Sequence, residues 1–561
     1  MKVTPTFFST FLFLPFAARA AQVQDPGLKL PYDTTQDLAD VVKIFTDSYS
    51  TYHEYAFGHD EVAPSSKKPL DPRNGWGATI VDAMSTMKIM NLTTQLSEAL
   101  NFVRDVDFSK SNTLDTVSVF ESTIRYIGGL LSAYELNGQG DQFLVDKAKQ
   151  LADKLSAAWV QENKIPYGFV DFNTSLPVKA ISSIAEAGTL TLEWARLSKY
   201  TGDDKYRRLA EGAARTIASN PAPLPGLPAQ GINPSTGEPV GRYITWGGGS
   251  DSYFEYLIKY AYLSNTDDKA FADAWFTAVD SSIRYLKKTS TVGDHVYLAD
   301  IDDNGSVRLV GSHLACFHAG NWMLGGKLLN NQTIVDVALQ LNDACWNTYA
   351  GDATGIGPEA FAYTTSGCSI FGTANGVPTN QQQFYCQHGY YITSSGYIQR
   401  PEVLESNFYA WRITGDQKYL DRARSAVKSF NTYLKISTGG FAGIREVNNR
   451  RTAKDDETQS FWFAEVLKYL YLTFDDPSHI SLNDYVFNTE AHPFKLPAPP
   501  AERTLGSGQL QPSTTDKFVY KPGSAPQPSP KSNVVGDILN GVTTRRRRMS
   551  KIRAGHRAHS H

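Results

Sequence analysis

Hydrophobic side chains recur along most of the chain with the spacing of amphipathic helices. In the segments 77–90, 185–200, 250–263, 400–413 and 457–474 they stand about three to four positions apart. None of these segments alternates polar and apolar residues as a half-buried strand does. We therefore predict a helix over each segment and an all-α fold.

A turn signature built on Asn or Gly separates the helical segments. It recurs at 137–143, 201–206, 265–271, 329–335 and 414–419, and its first four copies lie about 62–64 residues apart. The Gly or Asn of such a turn ends one helix, and an Asp begins the next. A repeat of that length, with two amphipathic helices in each period, predicts stacked αα hairpins.

Stacked αα hairpins either continue as an open solenoid or close into a toroid. Charged residues recur at the starts of several predicted helices, as they would if those ends converged on one axis. We therefore expect a closed toroid, whose ordered part ends near Pro493. From Leu496 the chain is rich in Pro, Ser and Gly and then basic, which predicts a disordered tail over 496–561.

Charge is unevenly distributed along the 561 residues. The formal net charge is −3, but the last 17 residues, from Arg545, hold seven Arg and Lys and no Asp or Glu. Without those seven the body carries a formal charge of −10, so we expect no nucleic-acid partner. For the basic end we weigh a protease-processing site against a cationic tether, and favour processing. We expect the protein to be a monomer.

The first 20 residues predict a secretory signal peptide. They combine one lysine, an apolar run and the ending Ala18-Arg19-Ala20, after which cleavage would occur. An uncleaved membrane anchor is the less favoured alternative, because the apolar run is short for a span. We expect entry into the secretory pathway, with secretion favoured over retention in the Golgi or endoplasmic-reticulum lumen. Secretion agrees with four N-glycosylation sequons, at Asn91, Asn173, Asn304 and Asn331.

Secretion also makes the cysteines candidates for disulfides. The four are Cys316, Cys345, Cys368 and Cys386. From the sequence alone, all three ways of pairing them remain open.

Glu121 lies in a stretch that otherwise predicts an apolar helix. Wound as an α-helix, this stretch places Glu121, Arg125 and Gly128 on one stripe. Glycine in a helix costs roughly 1 kcal/mol relative to alanine. The glycine pair at 128–129 therefore implies that some group approaches the backbone closely and that space is left beside Glu121.

Carboxylates stand in similar apolar or aromatic surroundings in four other segments. They are Asp251, Glu359, Glu402 with Glu405 one turn on, and Glu465. Any one of them is explained by compensation of a helix dipole or by a surface ion pair. Together, arriving from different repeats, they predict a carboxylate-lined pocket with aromatic walls. Such a pocket suits the cleavage of sugars, in which one carboxyl group donates a proton and another activates water.

Eight sequence blocks strengthen this prediction. Three are GGGSDSYFEYL (247–257), RPEVLESNFYAWRITGD (400–416) and VFNTEAHP (486–493). The other five occupy residues 55–66, 75–92, 117–136, 312–317 and 357–359. Taken in their order along the chain, they resemble glycoside hydrolase family 47, the class I α-1,2-mannosidases, most closely the secreted fungal members. The resemblance extends from about residue 35 to 495 and implies an (α/α)7 barrel, with a catalytic domain over 21–495.

The resemblance implies an inverting hydrolase that trims α-1,2-linked mannose from high-mannose N-glycans. Glu121 would be the general acid, and Glu402 the general base that activates the attacking water. Asp251 would be a third essential carboxylate, either an acid or an electrostatic helper, with Glu359 beside it.

The same resemblance implies the residues of the sugar subsites. Phe461 would pack against the apolar face of the terminal mannose. The polar residues of the subsites would be Arg125, Glu186, His313, Glu405, Glu465 and Glu490.

A calcium ion is also implied by the resemblance. Thr489 would give it the hydroxyl and carbonyl oxygens, while carboxylates that include Glu490 hold its waters and two mannose hydroxyls complete the shell. Ca²⁺ accepts about six to eight oxygen ligands with loose geometry, which suits the gripping of vicinal hydroxyls. Taken alone, the sequence Asn488-Thr489-Glu490 predicts only a turn.

Other positions refine the resemblance. It implies a Cys316–Cys345 disulfide and leaves Cys368 and Cys386 unassigned. The family's usual Met-Glu-Ser is here Thr458-Gln459-Ser460, which removes one carboxylate and puts the grip on substrate in doubt. Endoplasmic-reticulum members that remove one mannose carry Arg two residues before the essential Asp. Here that residue is Gly249, which implies a wider cleft and trimming from nine mannoses to five.

Two alternatives compete with this assignment, and the first comes from another class. A catalytically weak, glycan-binding relative in endoplasmic-reticulum quality control would lack catalytic carboxylates, and this chain keeps them. Another helical-toroid hydrolase with a different sugar specificity would lack the Thr489 motif. The sequence therefore favours the mannosidase.

Overall fold

The computed structural model describes residues 22–266, 268–368 and 376–497. The predicted signal peptide (1–20) and residues 498–561 of the predicted tail lie outside the described residues. Within the described ranges no helix is both long enough and apolar enough to cross a bilayer.

Helices make up the framework of the described chain. The α-helices are α1 (Thr35–Ala56), α2 (Ala78–Ile89), α3 (Thr93–Asp105), α4 (Val119–Glu121), α5 (Gly128–Leu136), α6 (Gln142–Leu155), α7 (Ile184–Gly188), α8 (Thr191–Thr201), α9 (Lys205–Ser219), α10 (Asp251–Ser264), α11 (Ala270–Ser281), α12 (Phe317–Leu328), α13 (Gln332–Gly351), α14 (Gln382–His388), α15 (Glu402–Thr414), α16 (Lys418–Tyr433) and α17 (Leu467–Phe474). Three π-helical segments continue or precede them, at Ser122–Ile127, Ser282–Leu286 and Trp462–Val466. Short 3₁₀ helices cover Ser156–Ala158, Leu314–Cys316 and Thr379–Gln381.

The strands are short and lie in the connections between helices. They are β1 (Glu61–Ala63), β2 (Lys68–Leu70), β3 (Val117–Ser118), β4 (Phe169–Asp171), β5 (Leu176–Pro177), β6 (Ser182–Ser183), β7 (Gly231–Ile232), β8 (Pro239–Val240), β9 (Lys287–Thr289), β10 (Val296–Leu298), β11 (Asp300–Ile301), β12 (Val307–Arg308), β13 (Val310–Ser312), β14 (Ala360–Ala362), β15 (Tyr391–Ser394), β16 (Tyr485–Phe487) and β17 (Pro493–Lys495). They pair antiparallel in the orders β1-β2, β3-β4-β5, β6-β7-β8, β9-β10, β11-β12, β13-β14-β15 and β16-β17. In β3-β4-β5, for example, Val117 faces Val170, which faces Pro177.

Seven helical hairpins form a closed ring within the described residues. The inner helices are α2, α4–α5, α8, α10, α12, α15 and α17, and each contacts the next along the chain. Their outer partners are α3, α6, α9, α11, α13, α16 and α1. The ring closes because α17 and the π-helical segment before it contact α2. This confirms the predicted all-α fold and the (α/α)7 barrel.

The turn signature ends helices as predicted. Asn265, Gly202 and Gly415 have positive φ directly after α10, α8 and α15, a conformation that stops a helix. A carboxylate then accepts a backbone N–H at the start of the next helix. The three that do so are Asp203, Asp268 and Asp416.

Burial separates the inner from the outer helices. Nearly every residue of α2, α10 and α15 is buried, because inner helices are packed on all sides. In α6, α9 and α16 only one face is buried, as expected for amphipathic helices at the surface. Polar side chains on the inner helices therefore have little access to bulk solvent and must find partners inside the barrel.

Candidate active site

A cavity of about 860 Å³ lies among the N-terminal ends of the inner helices. Asp251 and Glu402 are the first residues of α10 and α15, and Glu121 ends the short α4. All three line the cavity. The N-terminal end of a helix favours negative charge, so the recurrence of acidic residues at helix starts in the sequence corresponds to one site.

Most predicted site residues come together on the wall of this cavity. Those that line it are Glu121, Arg125, Glu186, Asp251, Glu402, Glu405, Phe461, Glu465, Thr489 and Glu490. Gly249 also lines it, whereas Glu359 and His313 are not on the wall. Both of these contact wall residues from behind.

Glu121 is held by two arginines. Ser118 caps the start of α4 by accepting the N–H of Glu121. Arg125 donates through Nε to Oε2 of Glu121 at 2.8 Å, and an Arg73 nitrogen lies 3.4 Å from Oε1. Burial alone would raise the pKa of Glu121, but Arg125 and Arg73 lower it below its ordinary value. Glu121 is therefore ionised at neutral pH.

Arg125 connects Glu121 to a buried polar network. Its Nη1 donates to Ser460 Oγ at 3.1 Å and to a carboxylate oxygen of Glu490, and lies 3.4 Å from Asp82. Only 5% of Arg125 is exposed, so its charge depends on these carboxylates. Such a buried cation is costly to leave without its partners.

Asp251 has an electrostatic environment opposite to that of Glu121. Its Oδ1 accepts the N–H of Ser252 at 2.8 Å. Burial raises the pKa of Asp251 to about 7, and the nearby carboxylates Glu255 and Glu402 add to the increase. A substantial fraction of Asp251 is therefore protonated near neutral pH.

Glu402 contacts a histidine on one of its two oxygens. Nδ1 of His313 lies 2.7 Å from Oε2, and Nη1 of Arg400 lies 3.9 Å from Oε1. Burial would raise the pKa of Glu402, but His313 and Arg400 lower it below its ordinary value. The other ring nitrogen of His313 lies 2.8 Å from the Tyr349 hydroxyl.

Glu359 fixes Arg400 rather than facing the cavity. It accepts hydrogen bonds from Nε of Arg400 and from the N–H of Ile398, the latter at 3.0 Å. Arg400 itself lines the cavity next to Glu402. Glu359 therefore influences the cavity through the position of Arg400.

The remaining wall carboxylates, Glu405, Glu465 and Glu490, are buried and influence one another. Burial raises the pKa of Glu465, and Glu490, Glu402 and Glu405 raise it further. Burial likewise raises the pKa of Glu405 to about 8. Mutual repulsion of this kind is what a bound cation would relieve.

The donor set tells which cation would fit. Among the residues that the structure describes, no three His, Cys, Asp or Glu side chains are grouped to chelate a metal directly. Thr489 lines the same cavity as Glu490 and Glu465 and offers a hydroxyl and a carbonyl oxygen. An all-oxygen set completed by water and sugar hydroxyls suits calcium better than zinc.

Side chains from other parts of the protein pack closely against Gly128 and Gly129. A Cβ on Gly128 would lie 2.6 Å from Nδ2 of Asn488, and one on Gly129 would lie 2.9 Å from Val81. The predicted close approach is confirmed. Packed side chains fill the space at the two glycines themselves, whereas Glu121 borders the cavity.

Sequence reasoning missed several wall residues. Glu255 lines the cavity one turn after Asp251 on α10, a spacing that could have indicated it. Arg73 comes from a loop and carried no such signal. Gln459, where the family's usual Glu is absent, does not line the cavity, whereas Asp456 and Glu457 just before it do.

Cystines and sequons lie away from the wall. Cys316 is joined to Cys345, the pairing that the resemblance implied, and Cys368 to Cys386. Three of the four sequon asparagines are exposed, while Asn331 is half-buried and caps α13 by accepting the N–H of Ile334.

Comparisons with known proteins agree with this site. Residues 44–496 match the profile of Glycosyl hydrolase family 47. The chain is 40% identical over 499 residues to the mannosyl-oligosaccharide alpha-1,2-mannosidase 1B of Aspergillus phoenicis, covering 84% of this chain and 94% of that protein. It is also 40% identical over 488 residues to the mannosyl-oligosaccharide alpha-1,2-mannosidase of Coccidioides posadasii, covering 82% and 91%. The solved alpha-1,2-mannosidase from Trichoderma reesei matches with a TM-score of 0.78 and 34% identity, over 82% of this chain and 99% of that one. As its sequence blocks predicted, the chain belongs to glycosyl hydrolase family 47 and is a glycoside hydrolase.

Proposed function

We propose that the protein is a calcium-dependent, inverting exo-α-1,2-mannosidase that trims high-mannose N-glycans from nine mannoses to five. The names of its relatives support the linkage and the sugar. The observation that carries the mechanism is the pair of carboxylates whose pKa values are shifted in opposite directions, Glu402 downward and Asp251 to about 7. Separation of this kind assigns an acid and a base within one site.

Glu402 is the general base. His313 occupies Oε2, which leaves Oε1 to accept a proton from a water molecule. Its lowered pKa keeps it ionised and ready for that task. The water attacks the anomeric carbon opposite to the leaving oxygen, so the released sugar has inverted configuration.

Asp251 is the better supported proton donor. A group with a pKa of about 7 holds its proton and can still release it at neutral pH. The resemblance assigns this role to Glu121, but Arg125 and Arg73 favour its ionised form. As a carboxylate, Glu121 stabilises the positive charge that develops on the sugar ring in the transition state.

Calcium, when bound, supplies positive charge for holding sugar hydroxyls. Thr489 would hold it through oxygen atoms, with Glu490, Glu465 and Glu405 orienting its waters. Phe461 lines the same cavity and gives an apolar surface for one face of a mannose ring. Arg125 lies 5.6 Å from the centroid of that aromatic ring and stabilises its position.

The glycine at position 249 supports extensive trimming. Gly249 lies on the wall without a side chain, so no bulky group there selects one glycan branch. We also propose that the enzyme enters the secretory pathway and is secreted as a monomer. The predicted signal peptide and the four sequons support secretion.

One experiment tests the reaction. Purified protein is incubated with the nine-mannose glycan, and products are followed by mass spectrometry and proton NMR. We expect β-mannose as the first sugar released and a five-mannose end product. Glu402→Gln should lose roughly 10²–10⁴-fold in turnover. Glu98→Gln is the control, since Glu98 is half-buried, contacts His53 and does not line the cavity. Initial release of α-mannose would contradict the inverting mechanism.

A further inference from the structure

The turn that carries Thr489 is fixed from behind by side chains outside the cavity wall. Oδ1 of Asn488 accepts the N–H groups of Glu490 and His492, at 3.0 and 2.7 Å. Nδ2 of Asn488 donates to the carbonyl of Ile124 at 2.9 Å. The side chain of Asn488 thus closes the turn on itself and ties it to the π-helical segment Ser122–Ile127, which follows Glu121.

A second set of contacts ties the same turn to α8 and α10. Nδ2 of Asn488 also donates to Oε1 of Glu193 at 2.8 Å. The Tyr256 hydroxyl donates to that same Oε1 at 2.6 Å. The N–H of Thr489 in turn donates to the Tyr256 hydroxyl at 3.2 Å. Glu193 is fully buried and Tyr256 is 1% exposed, so water offers these groups no alternative partner.

We propose that Glu193 and Tyr256 are positioning residues for Thr489, fixing the turn in the conformation that binds calcium. This inference rests on the proposed calcium function. Neither residue lines the cavity, and neither belongs to the carboxylates that face the sugar. Their effect passes through the backbone of Thr489.

The direction of each hydrogen bond explains the arrangement. A tyrosine hydroxyl has one hydrogen, and here that hydrogen goes to the carboxylate of Glu193. A lone pair of the hydroxyl therefore faces the N–H of Thr489. Without the hydroxyl, that backbone N–H loses the acceptor observed for it and the buried Oε1 of Glu193 loses one of its two donors, and the loss of a partner at a buried polar atom is costly. The turn would then adopt other conformations, and the oxygens of Thr489 would no longer be preorganised.

The test is calcium affinity, measured without substrate. Isothermal titration of chelator-treated protein with Ca²⁺ gives the Kd, and melting curves with and without Ca²⁺ give a second readout. We expect Tyr256→Phe to raise the Kd roughly 10- to 100-fold, as removal of outer contacts to a metal ligand typically does. Added Ca²⁺ should raise the melting temperature of Tyr256→Phe less than that of the wild type.

Tyr260→Phe is the matched control. Tyr260 lies one turn further along α10 and also bonds to a carboxylate, Glu211, but it does not touch the turn. Its loss should leave the calcium Kd unchanged. Should Tyr256→Phe fail to fold, Glu193→Gln decides the question, because it keeps the shape of the side chain while replacing the carboxyl group that bonds to Tyr256 and Asn488 with an amide. Glu193→Gln should also raise the calcium Kd, by a smaller factor than Tyr256→Phe.

The outcomes separate this inference from the proposed function. Wild-type protein that binds no Ca²⁺ would refute the calcium function itself. Wild-type binding with an unchanged Kd in Tyr256→Phe, or in Glu193→Gln when it alone folds, would overturn the positioning role.

Discussion

Nδ1 of His313 lies 2.7 Å from Oε2 of Glu402, and His313 does not line the cavity. Because ionised Glu402 only accepts hydrogen bonds, Nδ1 carries the hydrogen. Tyr349 contacts the other ring nitrogen at 2.8 Å and fixes the plane of the ring. The family resemblance places His313 in a sugar subsite, whereas this geometry supports a role in orienting the base.

Removing the imidazole should therefore impair turnover more than binding. We expect His313→Leu to lower kcat by roughly 10- to 100-fold, less than the 10²–10⁴ that a general base supplies, with little change in KM. His313 also lowers the pKa of Glu402, so the acidic limb of the pH–rate profile should move to higher pH. Steady-state kinetics on the nine-mannose glycan across pH checks both effects.

Two variants sharpen this test. His318→Leu is the matched control, since His318 is buried close by in the sequence and is not on the cavity wall. His313→Asn should recover part of the activity, because an amide nitrogen can replace Nδ1. A raised KM with unchanged kcat would instead indicate a direct sugar contact.

The pH profile should identify the proton donor. If Asp251 donates the proton, activity falls as pH rises through about 7, where Asp251 loses it. The carboxylate of Glu255 helps to raise that pKa, so Glu255→Gln should move the alkaline limb to lower pH. Arg73 instead acts on Glu121, whose pKa it lowers.

Arg73→Met tests Glu121 as the alternative proton donor. If Glu121 is the acid, this variant moves the alkaline limb to higher pH, and Glu255→Gln leaves it in place. Profiles of kcat/KM for the two variants beside the wild type distinguish the assignments. A response to Arg73→Met alone would return the role to Glu121.

The fold was predictable from the sequence because its signals are local. Gly202, Asn265 and Gly415 end their helices through their own backbone conformation, and the carboxylates stood out against apolar neighbours. The π-helical segment Ser122–Ile127 was not predictable from an ideal helical period.

Contacts between residues far apart in the sequence were the second feature that could not be predicted. His313 meets Glu402 across 89 residues of chain, and only packing decides that it lies behind the base rather than on the wall. Arg73 reaches Glu121 from a loop. The pKa of Asp251 likewise follows from burial and from Glu402 on another helix, neither of which sequence spacing reveals.

Calcium should stabilise the fold as well as support activity. A ligand present at about 100 times its Kd adds roughly 2.7 kcal/mol to the free energy of unfolding. We therefore expect a chelator to abolish activity and lower the Tm, and added Ca²⁺ to restore both. Scanning calorimetry with and without Ca²⁺ measures the shift.

Two substitutions of Thr489 test whether its hydroxyl binds the calcium ion. Thr489→Ala removes the side-chain oxygen and should weaken Ca²⁺ binding, whereas Thr489→Ser keeps the hydroxyl and should retain most of it. Full activity in excess chelator, with no metal detected in the protein, would contradict the calcium site. Equal Ca²⁺ affinity in the two variants would show that the hydroxyl is not a ligand.

The choice among glycan branches should depend on Gly249. This residue lines the cavity two positions before Asp251 and has a φ of 91°, a conformation that costs other residues roughly 1–2 kcal/mol. Gly249→Arg therefore introduces both a guanidinium and backbone strain, and Gly249→Ala separates the two because it carries the strain alone.

We expect the wild type to remove all four α-1,2-linked mannoses. Gly249→Arg should slow some branches far more than others, because a rigid guanidinium favours one arm and obstructs the rest. Gly249→Ala should slow all branches about equally. Time courses that resolve the eight-mannose isomers by chromatography measure this selectivity. A wild-type reaction that stops at one eight-mannose isomer in excess enzyme would overturn the broad specificity, and uniform slowing by Gly249→Arg would show that this position does not select.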